Sequence, residues 1–362
     1  MSRILSAMSG GVDSSLATAL LVEQGHDVTG AYMKNWINEE NILGDCPWQQ
    51  DIEDARAVAT RLGIEFRVVN LMQDYRSRVV NYLLEGYRGG VTPNPDVMCN
   101  REIKFGVFLN YAREEGFSQV ATGHYARTRL NADNSTDLLR GRDPNKDQTY
   151  FLALLRQSQA RHALFPIGHL LKPEVRAAAA RLDLPTAAKK DSQGICFIGN
   201  VRMSDFLRAF VPDDPGDVVD QQGKKLGRHR GLHLYTLGQR KGLGIASPVF
   251  REPYVIVEKR PERKEIVVAF DHPDTPRLYA SRCRIGSVSF VNQSIDSKRD
   301  LQAMPRYRSA AAPATLDPLG AGKFHLEFHR PQRALAPGQI CALYDGEMLL
   351  GGGIFEEIFH PA

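Results

Sequence analysis

Apolar positions in the first half of the chain alternate between two patterns. Short continuous apolar runs at 3–8, 26–33, 64–71 and 118–123 predict buried strands. Between them, 15–23, 51–62, a stretch ending near 87, and 103–115 carry apolar residues at helical spacing. Strands separated by helices predict a parallel, doubly wound α/β sheet, a fold that binds ligands at the carboxyl ends of its strands. The Gly-, Pro- and Asn-rich stretch 89–100 reads as a loop. From Pro212 onward helical periodicity fades and short alternating segments appear at 254–258, 265–269, 282–290, 324–328 and 340–344. They predict a small β-rich central domain and a C-terminal β-barrel, with an expected division at 1–200, 201–275 and 276–362. The stretch 304–322, with its Ala/Pro run, reads as a long hairpin loop.

Composition narrows the picture modestly. The 362 residues carry 46 Lys+Arg against 42 Asp+Glu, a net charge of +4, and five cysteines. No apolar run approaches the roughly 20 residues of a membrane span, and the first residues do not resemble a secretory leader. A reducing cytoplasm and no membrane partner are therefore expected. In that compartment five cysteines exclude a disulfide framework. Their spacing excludes a zinc finger, since even the nearest pair, Cys46 and Cys99, is far apart. Charge along the chain is uneven. From Gln221 to Arg251 there is no acid, but there are Lys224, Lys225, Arg228, Arg230, Arg240, Lys241 and Arg251, interleaved with His229, His233 and Tyr235. Such a segment suits a polyphosphate backbone or a solvated basic loop, and both readings stay open.

Candidate chemistry begins where the first strand meets the first helix, at Ser9-Gly10-Gly11-Val12-Asp13-Ser14-Ser15. Two glycines let the backbone turn and present amides to an anion, and a helix N-terminus adds partial positive charge. The loop has no Lys and the chain has no G-x-x-x-x-G-K-[ST] string, which excludes a Walker-type site. Asp13 would repel bare phosphate, and makes sense if it holds a Mg²⁺ that in turn holds pyrophosphate. A serine-capped helix after a glycine turn would use the same residues without a ligand. Cys99 and Cys196 lie in polar stretches with cationic neighbours, Arg101 and Lys104 for one, Lys189 and Lys190 for the other. Cys99 also precedes a helix start, so its thiol is expected to be acidified. Cys283 and Cys341 sit in alternating patterns and read as buried, inert thiols, while Cys46 is undecided.

Longer strings join these features. They are M-S-G-G-V-D-S-S at 8–15, M-K-N-W at 33–36, T-P-N-P-D-V-M-C-N-R-E-I-K-F at 92–105 and A-T-G-H-Y at 121–125. N-K-D-Q-T-Y-F comes next at 145–151, K-K-D-S-Q-G-I-C-F-I-G at 189–199, L-G-Q-R-K-G-L-G-I at 237–245 and G-G-G-I at 351–354. Over nearly its whole length the sequence resembles the bacterial tRNA-specific 2-thiouridylase family, within the PP-loop ATP pyrophosphatase superfamily. The resemblance implies ATP, with Mg²⁺, bound by Ala7, Met8, Ser9, Gly10, Gly11, Val12, Asp13 and Ser14, with Met33 and Gly123 toward adenine and ribose. It implies Cys99 as nucleophile, Cys196 as carrier of a persulfide, and Asn94-Pro95-Asp96 against the target base, with Asp96 placed to take the N3 proton. It also implies tRNA contacts at His124, at Lys146-Asp147-Gln148, at Arg306-Tyr307 and at Gln339. The implied reaction is 2-thiolation of the wobble uridine in tRNAs for Lys, Glu and Gln, with a cysteine desulfurase or relay protein as sulfur donor. The rival readings are a PP-loop amidase acting on tRNA or a nucleotide without sulfur chemistry, and a non-catalytic RNA-binding protein.

Overall fold

The structure, a computed structural model, describes residues 2–36, 48–190, 203–247, 249 and 251–360. In the first half the strands are β1 (Arg3–Ala7), β2 (Asp27–Lys34), β3 (Phe66–Asn70), β4 (Gln119–Ala121), β5 (Ala126–Leu130), β6 (Thr136–Arg140) and β7 (Ala163–Leu164). Parallel pairing in the order β3-β2-β1-β4-β7 makes the predicted sheet. Its inner strands are apolar because both faces are covered. Helix α1 (Val12–Glu23), helix α2 (Trp48–Leu62) and helix Lys172–Arg181 share a cluster through Leu16, Ala17, Ala55, Val58, Val175 and Ala179. Helical segments 72–88 and 95–114 belong to a separate, larger cluster with Leu5, Ala7 and Met33.

The segment 95–114 starts well before the apolar periodicity suggests. Asn94 caps it, its Oδ1 accepting from Val97 N at 3.2 Å, and Pro95 occupies the first turn, where its missing N–H costs nothing. The turn then widens to π geometry over Cys99–Val107, closed by Phe108 N donating to Ile103 O. Gly106 permits this, since a Cβ there would lie 2.9 Å from Arg101 O. Wide turns of this kind gather at functional sites.

The central unit is a four-stranded sheet of β8 (Gly216–Asp220), β9 (Lys225–His229), β10 (Tyr254–Arg260) and β11 (Glu265–Phe270), ordered β10-β11-β8-β9. The barrel strands are β12 (Tyr279–Phe290), β13 (Arg299–Met304), β14 (Ala312–Gly320), β15 (Lys323–Arg333), β16 (Ile340–Asp345) and β17 (Met348–Phe359), and pairing of β12 with β17 closes it. The stretch expected as a long hairpin loop therefore contains a nine-residue strand, β14. Its Pro318 sits where the pairing with β15 shifts register, a place that tolerates a missing N–H. The β5–β6 hairpin was not anticipated, and it leaves the first half of the fold to pair with β17 through Leu139 and Leu138.

The fold also settles the basic stretch. Acids absent from it in sequence are supplied in space: Lys225 pairs with Asp217 at 2.7 Å, Arg230 with Asp213 at 2.5 Å and Arg240 with Asp271 at 3.4 Å. His229, His233 and Tyr235 are buried. Much of this segment is therefore paired or packed, and it is not a continuous bare cationic face. Among the described residues no helix is long and apolar enough to cross a membrane.

Candidate active site at the carboxyl ends of the parallel strands

The loop between β1 and α1 is stitched closed by its own hydroxyls. Ser9 N donates to Ser14 Oγ at 3.1 Å, while Ser14 Oγ and Ser15 Oγ donate to Gly11 O at 3.0 and 2.8 Å. Gly10 has φ +73°, and a Cβ on it would lie 2.4 Å from Asp51 O at the start of α2. Ala7, Met8 and Val12 are buried beneath the loop, and Met33 is buried near the end of β2. Gly123, just beyond β4, touches the loop from the other side, where a Cβ would lie 2.6 Å from Ser14 N. Both glycines are thus demanded by close backbone approach.

Asp13 is not free to act alone. Lys172 Nζ lies 2.7 and 2.9 Å from its two carboxylate oxygens, and Tyr125 OH donates to Oδ1 at 2.8 Å. Lys172 comes from the start of helix Lys172–Arg181, far along the chain, and no local sequence signal marks it. Among the described residues no group of three or more His, Cys, Asp or Glu could hold a metal. A Mg²⁺ here would take most of its ligands from phosphate oxygens and water, with Asp13 as a single protein contact.

Cys99 overturns the expectation of an acidified thiol. It is 1% exposed, and burial pushes its pKa up to about 12. Lys104 opposes that shift and Asp96 adds to it. Cys99 lies inside a continuous helical segment, with Asp96–Met98 already helical before it, so the segment's N-terminus does not fall on its sulfur. Three residues of the strings quoted above carry buried polar atoms that are unsatisfied among the described residues. Asp96 Oδ1, Asn100 Oδ1 and both amide atoms of Asn35 have no hydrogen-bond partner among the described residues. Asn35 lies in the M-K-N-W string and was not singled out in sequence, whereas Lys104, read there as a cationic neighbour of Cys99, also lies within electrostatic reach of His124. Cys196 and Cys46 lie outside the described residues. Lys189, at the start of the string that bears Cys196, binds Asp51 at 2.7 Å and Asp54 at 2.5 Å on α2. Cys283 and Cys341 are buried in the barrel with raised pKa values, as their strand patterns imply.

The residues that the resemblance assigns to tRNA divide by environment. His124 is buried against Phe105 and Phe165, shares a 2.7 Å hydrogen bond with Thr122 through Nδ1, and is held neutral by burial and by Lys104. Asp147 accepts from Arg140 Nη1 at 3.0 Å and Gly141 N at 3.1 Å, and Gln148 Oε1 accepts from Tyr125 N at 3.0 Å. Lys146 is half-buried beside them. Arg306 donates to the carbonyls of Arg333 and Ala334 at 2.7 and 2.6 Å. Tyr307 packs on Phe151 with ring centroids 4.4 Å apart. Gln339 Nε2 donates to Thr92 O at 2.7 Å, which ties the barrel to the turn just before Asn94. Three units of the fold meet at that turn, because Thr92 also bonds Thr236 and Gly90 O accepts from Lys259 at 3.4 Å.

Three family models match in succession: a tRNA methyl transferase HUP domain over residues 2–200, a tRNA methyl transferase PRC-barrel domain over 204–270, and an aminomethyltransferase beta-barrel domain over 280–355. A tRNA-specific 2-thiouridylase of Akkermansia muciniphila is 59% identical over 99% of both chains. Counterparts with the same description in Pseudomonas syringae pv. syringae and Halalkalibacterium halodurans are each 45% identical, over 98% of this chain and 94% and 95% of theirs. A solved NMN synthetase of Francisella tularensis overlaps 53% of this chain and 67% of its own, at a TM-score of 0.32 and 16% identity. Matches that run end to end through all three units, on the loop and cysteine geometry described, mean that the chain belongs to the tRNA-specific 2-thiouridylases, a family of tRNA-uridine 2-sulfurtransferases.

Proposed function

We propose that the chain activates the C2 oxygen of the tRNA wobble uridine with ATP and replaces it with sulfur carried as a persulfide on Cys196. The observation that carries this reading is the pair of buried polar atoms, Asp96 Oδ1 and Asn100 Oδ1, that have no partner among the described residues and flank Cys99, in a core shared with the carboxyl ends of β1 and β2. Burying such groups unsatisfied costs stability, so a polar occupant such as a base edge is favoured there. The uridine leaves the anticodon stack to reach this depth. Its C2 oxygen attacks the α-phosphate of ATP, and pyrophosphate departs into the loop at Ser9–Ser15. Asp96 takes the N3 proton. Where Mg²⁺ is bound, Asp13 is the residue that would hold it, and the ion would supply positive charge against the phosphates.

Sulfur transfer then takes one of two balanced routes. In the first, the terminal sulfur of the Cys196 persulfide attacks C2 and expels AMP. The Cys99 thiolate then attacks the Cys196 sulfur and leaves a Cys99–Cys196 disulfide and C2=S. In the second, Cys99 attacks first and releases sulfide, which displaces AMP. Either route leaves a disulfide that an external thiol reductant must reopen. The donor that reloads Cys196 is a cysteine desulfurase or a relay protein, and the substrates are tRNAs for Lys, Glu and Gln. Purified protein given ATP, sulfide and unmodified tRNA should make AMP and 2-thiouridine in equal amounts. Cys196→Ser should bind tRNA and make no thionucleoside from a persulfide donor. Normal 2-thiouridine yield from that variant would sink the cysteine assignment.

A further inference from the structure

We infer, resting on the thiolation reading above, that Lys104 is the positioning residue that holds the charge of the Cys99 thiolate during sulfur transfer, and that the wide turn Cys99–Val107 is what brings it to the face of Cys99. At about 3.6 residues per turn, an α-helix would set the fifth side chain after Cys99 about 140° round the axis, away from the sulfur. A π turn closes through bonds from one residue to the fifth after it, so two residues at that spacing come into line. Phe108 N donating to Ile103 O has this spacing, and the π geometry begins at Cys99 itself. Lys104 is the fifth residue after Cys99 and the cation that acts on it.

The wide turn is held from outside. Gln159, on the one-turn helix Gln157–Ala160, donates through Nε2 to Arg101 O and Phe105 O, both at 2.8 Å. Its Oε1 accepts from Arg156 N at 3.1 Å, which fixes the orientation of the amide. A side chain inserted into the helical ladder distorts a helix in this way. Gly106 leaves the room for it, since a Cβ there would lie 2.9 Å from Arg101 O, five residues back. The charges around the sulfur then leave the task to Lys104. Asp96 is the carboxylate that opposes it. Once Asp96 has taken the N3 proton it no longer repels a thiolate, and the thiol's own proton goes to water when substrates uncover the sulfur. Arg101 is engaged by Glu102 at 2.7 Å, and Glu102 also by Arg78 at 3.6 Å. Burial keeps Tyr82 and Tyr150, on the flanking segments, protonated, and His124, which also feels Lys104, neutral.

The test is the pH dependence of iodoacetamide labelling at Cys99 in the full chain with unmodified tRNA and ATP bound and no sulfur donor. Peptide mass spectrometry reads it for the wild type, Lys104→Met, Lys104→Arg and Gln159→Met. The labelling midpoint should rise by about one pH unit in Lys104→Met, because a neighbouring opposite charge favours the ionised form. Lys104→Arg should restore it. Gln159→Met should raise it as well, because the turn can tighten and carry Lys104 away from the sulfur. First-turnover pyrophosphate release should keep the wild-type rate in all three, which a general loss of structure would not allow. With a persulfide donor at pH 7, 2-thiouridine formation by Lys104→Met should fall about tenfold. An unchanged midpoint in a folded Lys104→Met protein, no restoration by Lys104→Arg, or a wild-type Cys99 that stays unlabelled with both substrates bound overturns the assignment. Weaker tRNA binding with an unshifted midpoint would make Lys104 an RNA contact and overturns it too. If Lys104→Met does not fold, Gln159→Met decides: a higher midpoint supports the role, and an unchanged one removes it. The thiolation reading fails separately. A wild type whose Cys99 midpoint depends on Lys104 but that makes no 2-thiouridine would leave the charge assignment standing.

Discussion

Cys99 shows how a single residue can have the right neighbours and the wrong ionisation state. Lys104 favours its thiolate, yet complete burial outweighs that cation and leaves a neutral thiol with a pKa of about 12. At pH 8 and without tRNA, iodoacetamide should leave Cys99, Cys283 and Cys341 unmodified for as long as the fold persists. Peptide mass spectrometry of a time course reads this, and early labelling of Cys99 would contradict the buried state. Faster labelling of Cys99 alone after adding tRNA and ATP is the expected sign that substrates uncover it. Gly123 illustrates the opposite case, a residue without chemistry on which the site depends. Gly123→Ala puts a methyl group 2.6 Å from Ser14 N and should cost about 1–3 kcal/mol in denaturant titration, with a matching loss of ATP affinity. The loop string was legible in sequence because its conformation depends on local backbone. Lys172 was not, because its contact with Asp13 is made only by tertiary packing.

At the scale of elements, the parallel strands were readable because their apolar runs are bounded by turns. The helix bearing Cys99 was misplaced because Thr92-Pro93-Asn94-Pro95 looks like loop, although Asn94 and Pro95 cap and open the helical segment 95–114. The β5–β6 hairpin was missed for another reason, as Arg127 and Arg129 break its apolar pattern. In the central sheet, buried histidines predict a pH response. Burial lowers the pKa values of His229 and His233, and His229 Nε2 is bonded to Lys264 O. Both imidazoles therefore favour folding only while neutral. Their contribution is present above the unfolded value of about 6.5 and is lost as pH falls through it. Urea midpoints should drop between pH 7.5 and pH 5.5. The double variant His229→Gln, His233→Gln should show a shallower drop, and an unchanged slope would assign the acid sensitivity elsewhere.

For the whole molecule, the turn at 89–94 is where the parallel-sheet unit, the central sheet and the barrel touch one another. Gln339→Ala removes the barrel's hydrogen bond to Thr92 O. It should raise the KM for tRNA by about fivefold, roughly 1 kcal/mol, with little change in kcat or melting temperature. An unchanged KM would show that the clasp does not position the turn for substrate. The net charge of +4 was a fair summary, since many of the basic side chains prominent in sequence are answered by acids from other strands. The seam between β6 and β17 bears on synthesis rather than on catalysis. Leu138 and Leu139 emerge from the ribosome about 200 residues before the Leu349 and Met348 they pair with. At about 5–20 residues per second, that hairpin edge waits roughly 10–40 s for its partner. The nascent N-terminal half is thus an open-edged intermediate, and premature termination in the barrel would leave a fragment with an unpaired strand edge, an aggregation liability, instead of a working smaller enzyme.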